Sequence, residues 1–324
     1  MQAIVYYRYG PPEVLQLQEI EKPTPTDDQV LIKVRAASVN PYDWHFMRGA
    51  PRFVRLSTGL GKPRSNRLGA DVSGVVEACG RNVTRLKPGD AVFGCAKGAF
   101  AEYACGKASQ LALKPAEVTF DQAASVPIAG LTALQGLRDD GQVKEGQTVL
   151  INGAAGGVGT FAVQIAKSLG ARVIGVCSTA NLAMVQSIGA NQTIDYTRED
   201  FTTSGHQYDV IFDLVGNHPL AALRRALKPT GTFVACGGGG PNKSSMDLLV
   251  PMFQKLAASP FTKQRLVGVF AKFNVSDLTL LGDMMQSGTV TPVLDRAYSL
   301  AEVPEAMRHV EGGHARGKVT ISVA

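Results

Sequence analysis

The run Asn152-Gly-Ala-Ala-Gly-Gly-Val-Gly159 is where residue type and spacing speak most directly of chemistry. Glycines at 153, 156, 157 and 159 permit a tight turn and let backbone N–H groups come close to a bulky anion. Residues 148–152 before it read as a strand. After it, Val158, Phe161, Ala162, Ile165, Ala166 and Leu169 fall at i, i+3, i+4, i+7, i+8 and i+11, one face of a helix that Gly170 ends. A glycine-rich turn between a strand and a helix N-terminus aims unpaired N–H groups and the positive end of the helix dipole at one spot, which suits a pyrophosphate. A plain glycine turn is the alternative, and the spacing Gly153-x-x-Gly156-x-x-Gly159 departs from the usual dinucleotide-binding form. The strand before and the helix after favour the phosphate cradle.

The elements that must carry this turn fall into two textures. Residues 1–120 read as short strands broken by Gly and Pro, at 4–7, 30–37, 73–78, 91–93 and 100–104, an irregular β domain or partial barrel. From about Pro127 to 237 strand and helix alternate, the pattern of a parallel sheet with crossover helices. Strands are expected at 148–152, 172–177, 194–196, 209–214 and 232–236, and helices at 158–169, 181–188 and 220–228. Arg224, Arg225 and Lys228 stand in the last turns of the third helix, where cations complement the dipole. The closing residues mix helix (275–287, 303–311) with extended segments (297–300, 318–323).

With 324 residues, 45% of them hydrophobic and 19% charged, the chain is long enough for two globular domains. No apolar run approaches the ~20 residues that span a bilayer. The first 23 residues alternate like a strand and have no secretory signal pattern, so export is not expected. Five widely spaced cysteines without a CxxC pair argue against a disulfide framework or structural zinc and fit a reducing cytoplasm. The net charge of +6 could serve nucleic acid, but no stacking-aromatic motif or recognition helix accompanies it, and nucleic acid is not expected as a partner. Residues 48–67 hold six cations and no acid, with Phe53, Val54, Leu56 and Leu60 between them. They read as a solvated basic loop, with a substrate flap or a membrane-surface contact as alternatives. Residues 246–258, after the glycines at 237–240, are apolar and read either as a lid over a hydrophobic substrate or as core.

The runs ASVNPYDWHFMRG, LGADVSGVVEACG, VPIAGLTALQGL, GAAGGVGTFAVQIAKSLGA, DLVG and GHARGKV, in that order, resemble the quinone oxidoreductase branch of the medium-chain dehydrogenase/reductases. The resemblance covers the whole chain. It implies an α/β protein with a GroES-like β-rich catalytic domain over 1–122, a Rossmann doubly wound parallel sheet over 123–270, and a segment 271–324 completing the first domain. It also implies NADPH as cofactor, with NADH as the alternative, a small hydrophobic carbonyl or quinone substrate, and a homodimer. Residues 262–270 look like the outer strand through which such a dimer pairs. Among site residues, it implies Asn40 beside the nicotinamide, although a turn-former before Pro41 is the plain alternative. Asp43 and Tyr103 are carried as catalytic candidates, with a structural hydrogen bond and ordinary packing as their alternatives. Thr132, Gly153, Ala155, Gly156, Gly157 and Val158 are expected around the cofactor, followed by Leu214, Val215, Gly237, Gly238 and Lys318. Near the adenosine ribose, Ser178, Thr179, Asn181 and Tyr196 offer polar groups to a 2′-phosphate. No acid follows the second Rossmann strand in sequence, which favours NADPH, but no basic residue stands at 180–182 either.

Metal-dependent members of this superfamily place zinc ligands at positions that fall here on Asn40, Ala70 and Ile128. None is a group that zinc takes. The structural-zinc lobe would lie near 94–99, where the chain is too short, and the five histidines are scattered, so no metal is expected. Without a Lewis acid an isolated carbonyl is hard to polarise, whereas an enone or quinone spreads the incoming charge over its own conjugated system. The expected activity is therefore zinc-independent hydride transfer to an activated double bond or quinone. A zinc-free alcohol dehydrogenase or carbonyl reductase, and a non-catalytic cofactor-binding redox sensor, are the alternatives.

Overall fold

The computed structural model describes residues 1–236 and 263–323. These fall in two compact units, one within residues 1–128, 272–288 and 294–324, the other within 129–271 and 289–293.

The first unit is built on strands β1 (Gln2–Val5), β2 (Gln16–Glu19), β3 (Gln29–Val39), β4 (Asp71–Cys79), β5 (Ala91–Cys95), β6 (Tyr103–Lys107) and β7 (Leu111–Leu113). Strand β3 organises it. Ile32, Val34 and Ala36 are buried while Lys33 and Arg35 are exposed, the alternation of a strand with one covered face. From Ala36 to Val39 every residue is buried, so that end of the strand is enclosed on both faces. Antiparallel to β3 run β4, β6 and, from the far end of the chain, β15 (Lys318–Ser322), whose other neighbour is the parallel strand β14 (Leu294–Ser299). A core including Ile4, Tyr6, Ile32, Val34, Trp44, Met47, Val72, Val92, Phe100, Val319 and Ile321 binds these segments. Burying each large apolar side chain is worth roughly 1.5–3 kcal/mol.

Helix α1 (Pro41–Arg48) follows β3 at once. Asn40 is its extended N-cap, Pro41 occupies the first helical position, and Asp43 at the third completes a capping box; Gly49, at φ 58°, closes the helix in the left-handed region. The segment 48–67 contains a short helix, α2 (Val54–Thr58). Two of its cations are engaged: Arg48 pairs with Glu311, and Arg55 lies over the Tyr9 ring and donates to the Gly49 carbonyl. The remaining helices of this unit, apart from the short α3 (Phe120–Ala124), lie at Val275–Gln286 and Val303–Glu311.

After α4 (Pro127–Gln135) the second unit alternates β8 (Thr148–Asn152), α5 (Gly157–Ser168), β9 (Arg172–Cys177), α6 (Leu182–Ser187), β10 (Gln192–Asp195), β11 (Tyr208–Asp213), α7 (Leu220–Ala226), β12 (Leu227–Ala235) and β13 (Arg265–Gly268). The strands form one sheet in the order β10-β9-β8-β11-β12-β13, parallel throughout. This is the expected doubly wound sheet, and its order reverses beside β8, the place where such sheets bind ligands at the carboxyl ends of their strands. Strand β8 is buried from Val149 to Asn152, as a strand covered by helices on both faces must be.

Some expected boundaries move. The helix expected over 220–228 ends at Ala226, and Lys228 lies on β12, where it pairs with Asp209 at 2.8 Å. Pro229 is the reason, since it disfavours helical geometry in the residue before it. The strand expected at 100–104 forms at Tyr103–Lys107, while Ala101 makes a single bridge to Ala3. Gly237, Gly238, the apolar run 246–258 and the start of the outer strand at 262 lie outside the described residues. All five cysteines are free, and among the described residues no helix is long and apolar enough to cross a membrane.

Candidate active site

In the second unit the glycine turn follows β8 directly. Gly153 adopts φ 91°, which only glycine takes without strain, and its N–H and that of Ala154 donate to the Val176 carbonyl at 3.1 and 3.0 Å. A Cβ on Gly159 would stand 2.1 Å from the Gly153 carbonyl oxygen, so this glycine lets the helix pack on the turn. Gly156 differs. It is the N-cap of α5 at φ −81°, ψ 177°, and a Cβ there would meet only the Gly153 oxygen, at 3.5 Å. Its open side is the cradle. No side chain caps α5, whose first N–H groups, from Gly157, Val158 and Gly159, have no intrahelical acceptor. Open space, free donors and the helix dipole together fit a pyrophosphate, and Ala155 is buried behind them at 7% exposure.

Two polar residues that sequence reasoning missed brace this turn. Asn152 at the end of β8 donates from Nδ2 to Asp213 Oδ1 at 2.9 Å and to Asn217 Oδ1 at 3.0 Å. Asp213 Oδ1 also accepts from the N–H groups of Val215 and Gly216, which folds the 214–216 loop back beside the cradle. Leu214 and Val215 thus stand where a Cβ on Gly153 would touch them, at 3.3 and 2.9 Å. The available signal was a polar residue at the carboxyl end of two adjacent apolar strands. Thr132, on α4, is buried.

Beyond the tip of β9, Ser178, Thr179 and Asn181 gather as expected from their spacing. Asn181 Nδ2 donates to Ser178 Oγ at 3.2 Å, and Asn181 Oδ1 is buried without a hydrogen-bond partner among the described residues. The reading that no acid stands here needs correction. Parallel pairing sets Asp195 of β10 opposite Cys177, and its Oδ2 accepts from Thr179 Oγ1 at 2.5 Å. The acid lies on the neighbouring strand, 16 residues further along the chain, out of reach of a local motif. The Thr179 hydroxyl, with help from Thr197 and Arg198, holds this carboxyl below its usual range. Arg198 lies 3.6 Å from the carboxylate and offsets part of its charge. Tyr196 follows, 59% exposed, with its N–H on the Cys177 carbonyl.

The first unit holds a second group of polar side chains, almost dry. Register explains it: β4 pairs Ser38 with Asp71, and β15 pairs Val39 with Val319, bringing Lys318 beside Asn40. Asp71 Oδ2 accepts from Ser38 Oγ and from Asn40 Nδ2, both at 2.9 Å, and Asp71 Oδ1 accepts from the Ile128 N–H at 3.1 Å. Lys318 Nζ donates to Asn40 Oδ1 at 2.5 Å and lies 3.8 Å from Asp71 Oδ2. Asn40, Asp71 and Lys318 are 2%, 0% and 3% exposed. Burial pushes the Asp71 carboxyl up and the Lys318 ammonium down, and each charge works against that shift in the other. Asp43, also fully buried, accepts from the N–H groups of Asn40 (2.9 Å) and Gly69 (3.1 Å), and burial still pushes its carboxyl up to about 7.

Asn40 and Asp43 are therefore brought together, and Asp71 and Ser38 join them unforeseen. An acid inside the apolar strand LGADVSGVV was the signal for Asp71. Lys318, expected toward the cofactor, is committed to Asn40 and Asp71 because β15 inserts it beside the end of β3. Tyr103 is not brought to this group. It pairs with Lys33, seven residues before Asn40 on β3, on the order of 20 Å along the strand, and its ring lies beneath Lys22. The three positions where metal-dependent members carry zinc ligands meet around Asp71: Asn40 and Ile128 donate to it and Ala70 precedes it. Among the described residues no group of three or more His, Cys, Asp or Glu is placed to hold a metal.

Comparison with known proteins gives the family and the fold. Residues 26–116 match the alcohol dehydrogenase GroES-like domain, and residues 188–321 match the zinc-binding dehydrogenase family. The chain is 33% identical to a 2-methylene-furan-3-one reductase of Solanum lycopersicum, over 99% of this chain and 79% of the relative. It is 34% identical to a chloroplastic NADPH-dependent alkenal/one oxidoreductase of Arabidopsis thaliana, with the same coverage. Among solved structures it superposes on the quinone oxidoreductase from Coxiella burnetii with a TM-score of 0.86 and 35% identity, covering 100% of this chain and 99% of that one. The GroES-like and Rossmann parts of the expected fold are both present.

Proposed function

From a chain that belongs to the quinone oxidoreductase branch of the medium-chain dehydrogenase/reductases, we infer an enzyme that uses NADPH to reduce an activated carbon–carbon double bond or a quinone. The observation that carries the reading is the open, uncapped start of α5 at Gly156, on the turn after the first strand of the parallel sheet. Gly153, Ala155, Gly156, Gly157 and Val158 would hold the pyrophosphate. Ser178, Thr179, Asn181 and Tyr196 would receive the phosphorylated ribose, Leu214, Val215 and Thr132 would line the remainder, and Asn40 would lie on the nicotinamide side. We take residues 1–122 with 271–324 as the catalytic domain and 123–270 as the cofactor domain.

NADPH, when bound, supplies a hydride. With an enone as acceptor the new C–H bond forms at the β-carbon and the π electron pair moves to the carbonyl oxygen. The resulting enolate needs hydrogen-bond donors and a proton, which water provides. This chemistry asks for no strong acid from the protein, consistent with a buried polar group whose only carboxylates, Asp43 and Asp71, are engaged by other donors. The names of the relatives, a 2-methylene-furan-3-one reductase and an alkenal/one oxidoreductase, support an activated alkene as substrate.

Steady-state NADPH oxidation against matched enones, quinones, aldehydes and alcohols tests the reading. Enones or quinones should exceed the others at least about tenfold in kcat/KM. Dominant alcohol or aldehyde turnover would instead indicate a carbonyl reductase, and tight cofactor binding with no turnover a sensor. We also read the protein as a cytoplasmic homodimer. The five free thiols support the first, and β13, an edge strand among the described residues, supports pairing of two sheets. Fractionation that finds the protein in an organelle, or light scattering that finds a monomer at micromolar concentration, would contradict these two points.

A further inference from the structure

We propose that Lys318 is a positioning residue that acts on the reaction through Asn40: the Lys318–Asp71 pair locks the Asn40 amide in a single orientation. An asparagine amide has two ends of nearly equal shape, one accepting and one donating. Here the ends meet groups that cannot exchange roles. The Lys318 ammonium has only protons to give, and it meets Oδ1 at 2.5 Å. The Asp71 carboxylate has only lone pairs, and it meets Nδ2 at 2.9 Å, while the second Nδ2 proton points to the Ser38 carbonyl at 3.3 Å. A flipped amide would set NH2 against ammonium and oxygen against carboxylate. Asn40 is also fixed from its backbone side, through Asp43 and the start of α1.

A buried ammonium is an expensive way to pack a strand. An apolar residue in its place, with Asp71 made apolar too, would generally be tolerated. What the pair contributes beyond packing is the orientation of one amide. The proposal rests on the reading of Asn40 as a nicotinamide-side residue, and the test separates the two.

The experiment is a double-mutant cycle with wild type, Lys318→Met, Asn40→Ala and the combined variant. With the preferred substrate, Lys318→Met should lower kcat by about tenfold and change the KM for NADPH by less than about threefold. In the Asn40→Ala background the same replacement should cost less than about twofold, because no amide remains to be held. Equal losses in the two backgrounds, or an unchanged kcat in folded Lys318→Met, overturn the proposal. Because Lys318→Met leaves Asp71 unpaired and can impair folding, Lys318→Met/Asp71→Leu is measured beside it. It should regain the thermal midpoint but not kcat, and regaining both shows that the pair only packs. A last arm needs no turnover. The side-chain amide signal of Asn40 in 15N spectra, identified by its loss in Asn40→Ala, should exchange with water at least about tenfold faster in Lys318→Met/Asp71→Leu than in wild type. An unchanged exchange rate overturns the locking of the amide, whichever substrate the enzyme proves to use.

Discussion

At the level of single residues the glycines of the cradle divide by task. Gly153 and Gly159 are required by the turn itself, one through its φ of 91° and the other through the 2.1 Å approach a Cβ would make. Gly156 has an ordinary extended backbone and faces open space, so Gly156→Asp should fold with a thermal midpoint close to that of wild type. A carboxylate there would fill the cradle and repel a pyrophosphate, so binding of both NADPH and NADH should weaken by roughly a hundredfold or more in a fluorescence titration. Normal binding to the folded variant would show that the phosphate lies elsewhere. Ser178→Asp addresses the other end. It adds a second negative charge beside that of Asp195 and should weaken NADPH about tenfold while sparing NADH. An unchanged ratio of the two affinities would remove Ser178 from the 2′-phosphate site.

At the level of elements, the buried polar group depends on where three strands end. Helix α1 starts where β3 stops, and Asp43, in its first turn, ties it to Gly69 just ahead of β4. Its carboxyl titrates near 7 in the fold against 3.8 for the free group, because burial disfavours the charge more than two N–H groups favour it. A raised carboxyl pKa gives stability that is fully present below about pH 4 and is lost as pH rises through about 7. Asp43→Asn cannot ionise. Its thermal midpoint minus that of wild type should therefore climb between about pH 4 and pH 7 and level off above, whatever constant offset the lost acceptor imposes. Asp71 and Lys318 face the same space and interact with the Asp43 charge, so the climb reports Asp43 together with its coupling to these two groups. A flat difference would mean that the two N–H bonds keep Asp43 ionised throughout.

For the whole molecule the consequence concerns metal. Zinc-ligand positions of metal-dependent members are occupied by Asn40, Ala70 and Ile128, and an ion-paired Asp71 and Lys318 lie at their meeting point. An ammonium already faces the Asp71 carboxylate, so a divalent cation would have to displace it. Protein purified without a metal-binding tag should contain well below one zinc per chain by elemental analysis, and should keep its activity through dialysis against chelator. Stoichiometric zinc together with loss of activity on chelation would refute this.

Much of this protein could be read from its amino-acid order alone, where the cause is local. Alternating apolar periods specified the parallel sheet and its helices, and glycine spacing after β8 specified the phosphate turn, whereas helix α1 interrupts a stretch read as strands and turns. The sheet pattern and the phosphate turn depend on neighbours within about a dozen residues, whose geometry the backbone dictates. Tertiary structure decided what depends on register. Nothing near position 318 announces that its lysine will meet Asn40, 278 residues away, or that Asp195 will reach Thr179 from the adjacent strand. Strand pairing makes such neighbours, and a shift of one residue would turn each side chain to the opposite face. The same cause keeps Tyr103 from Asn40, since it pairs with Lys33 near the middle of β3 while Asn40 follows the strand's last residue. Residue types thus settled which chemistry the chain carries, and strand register settled which groups share a site, because burial and hydrogen bonding act between whatever residues the sheet sets side by side.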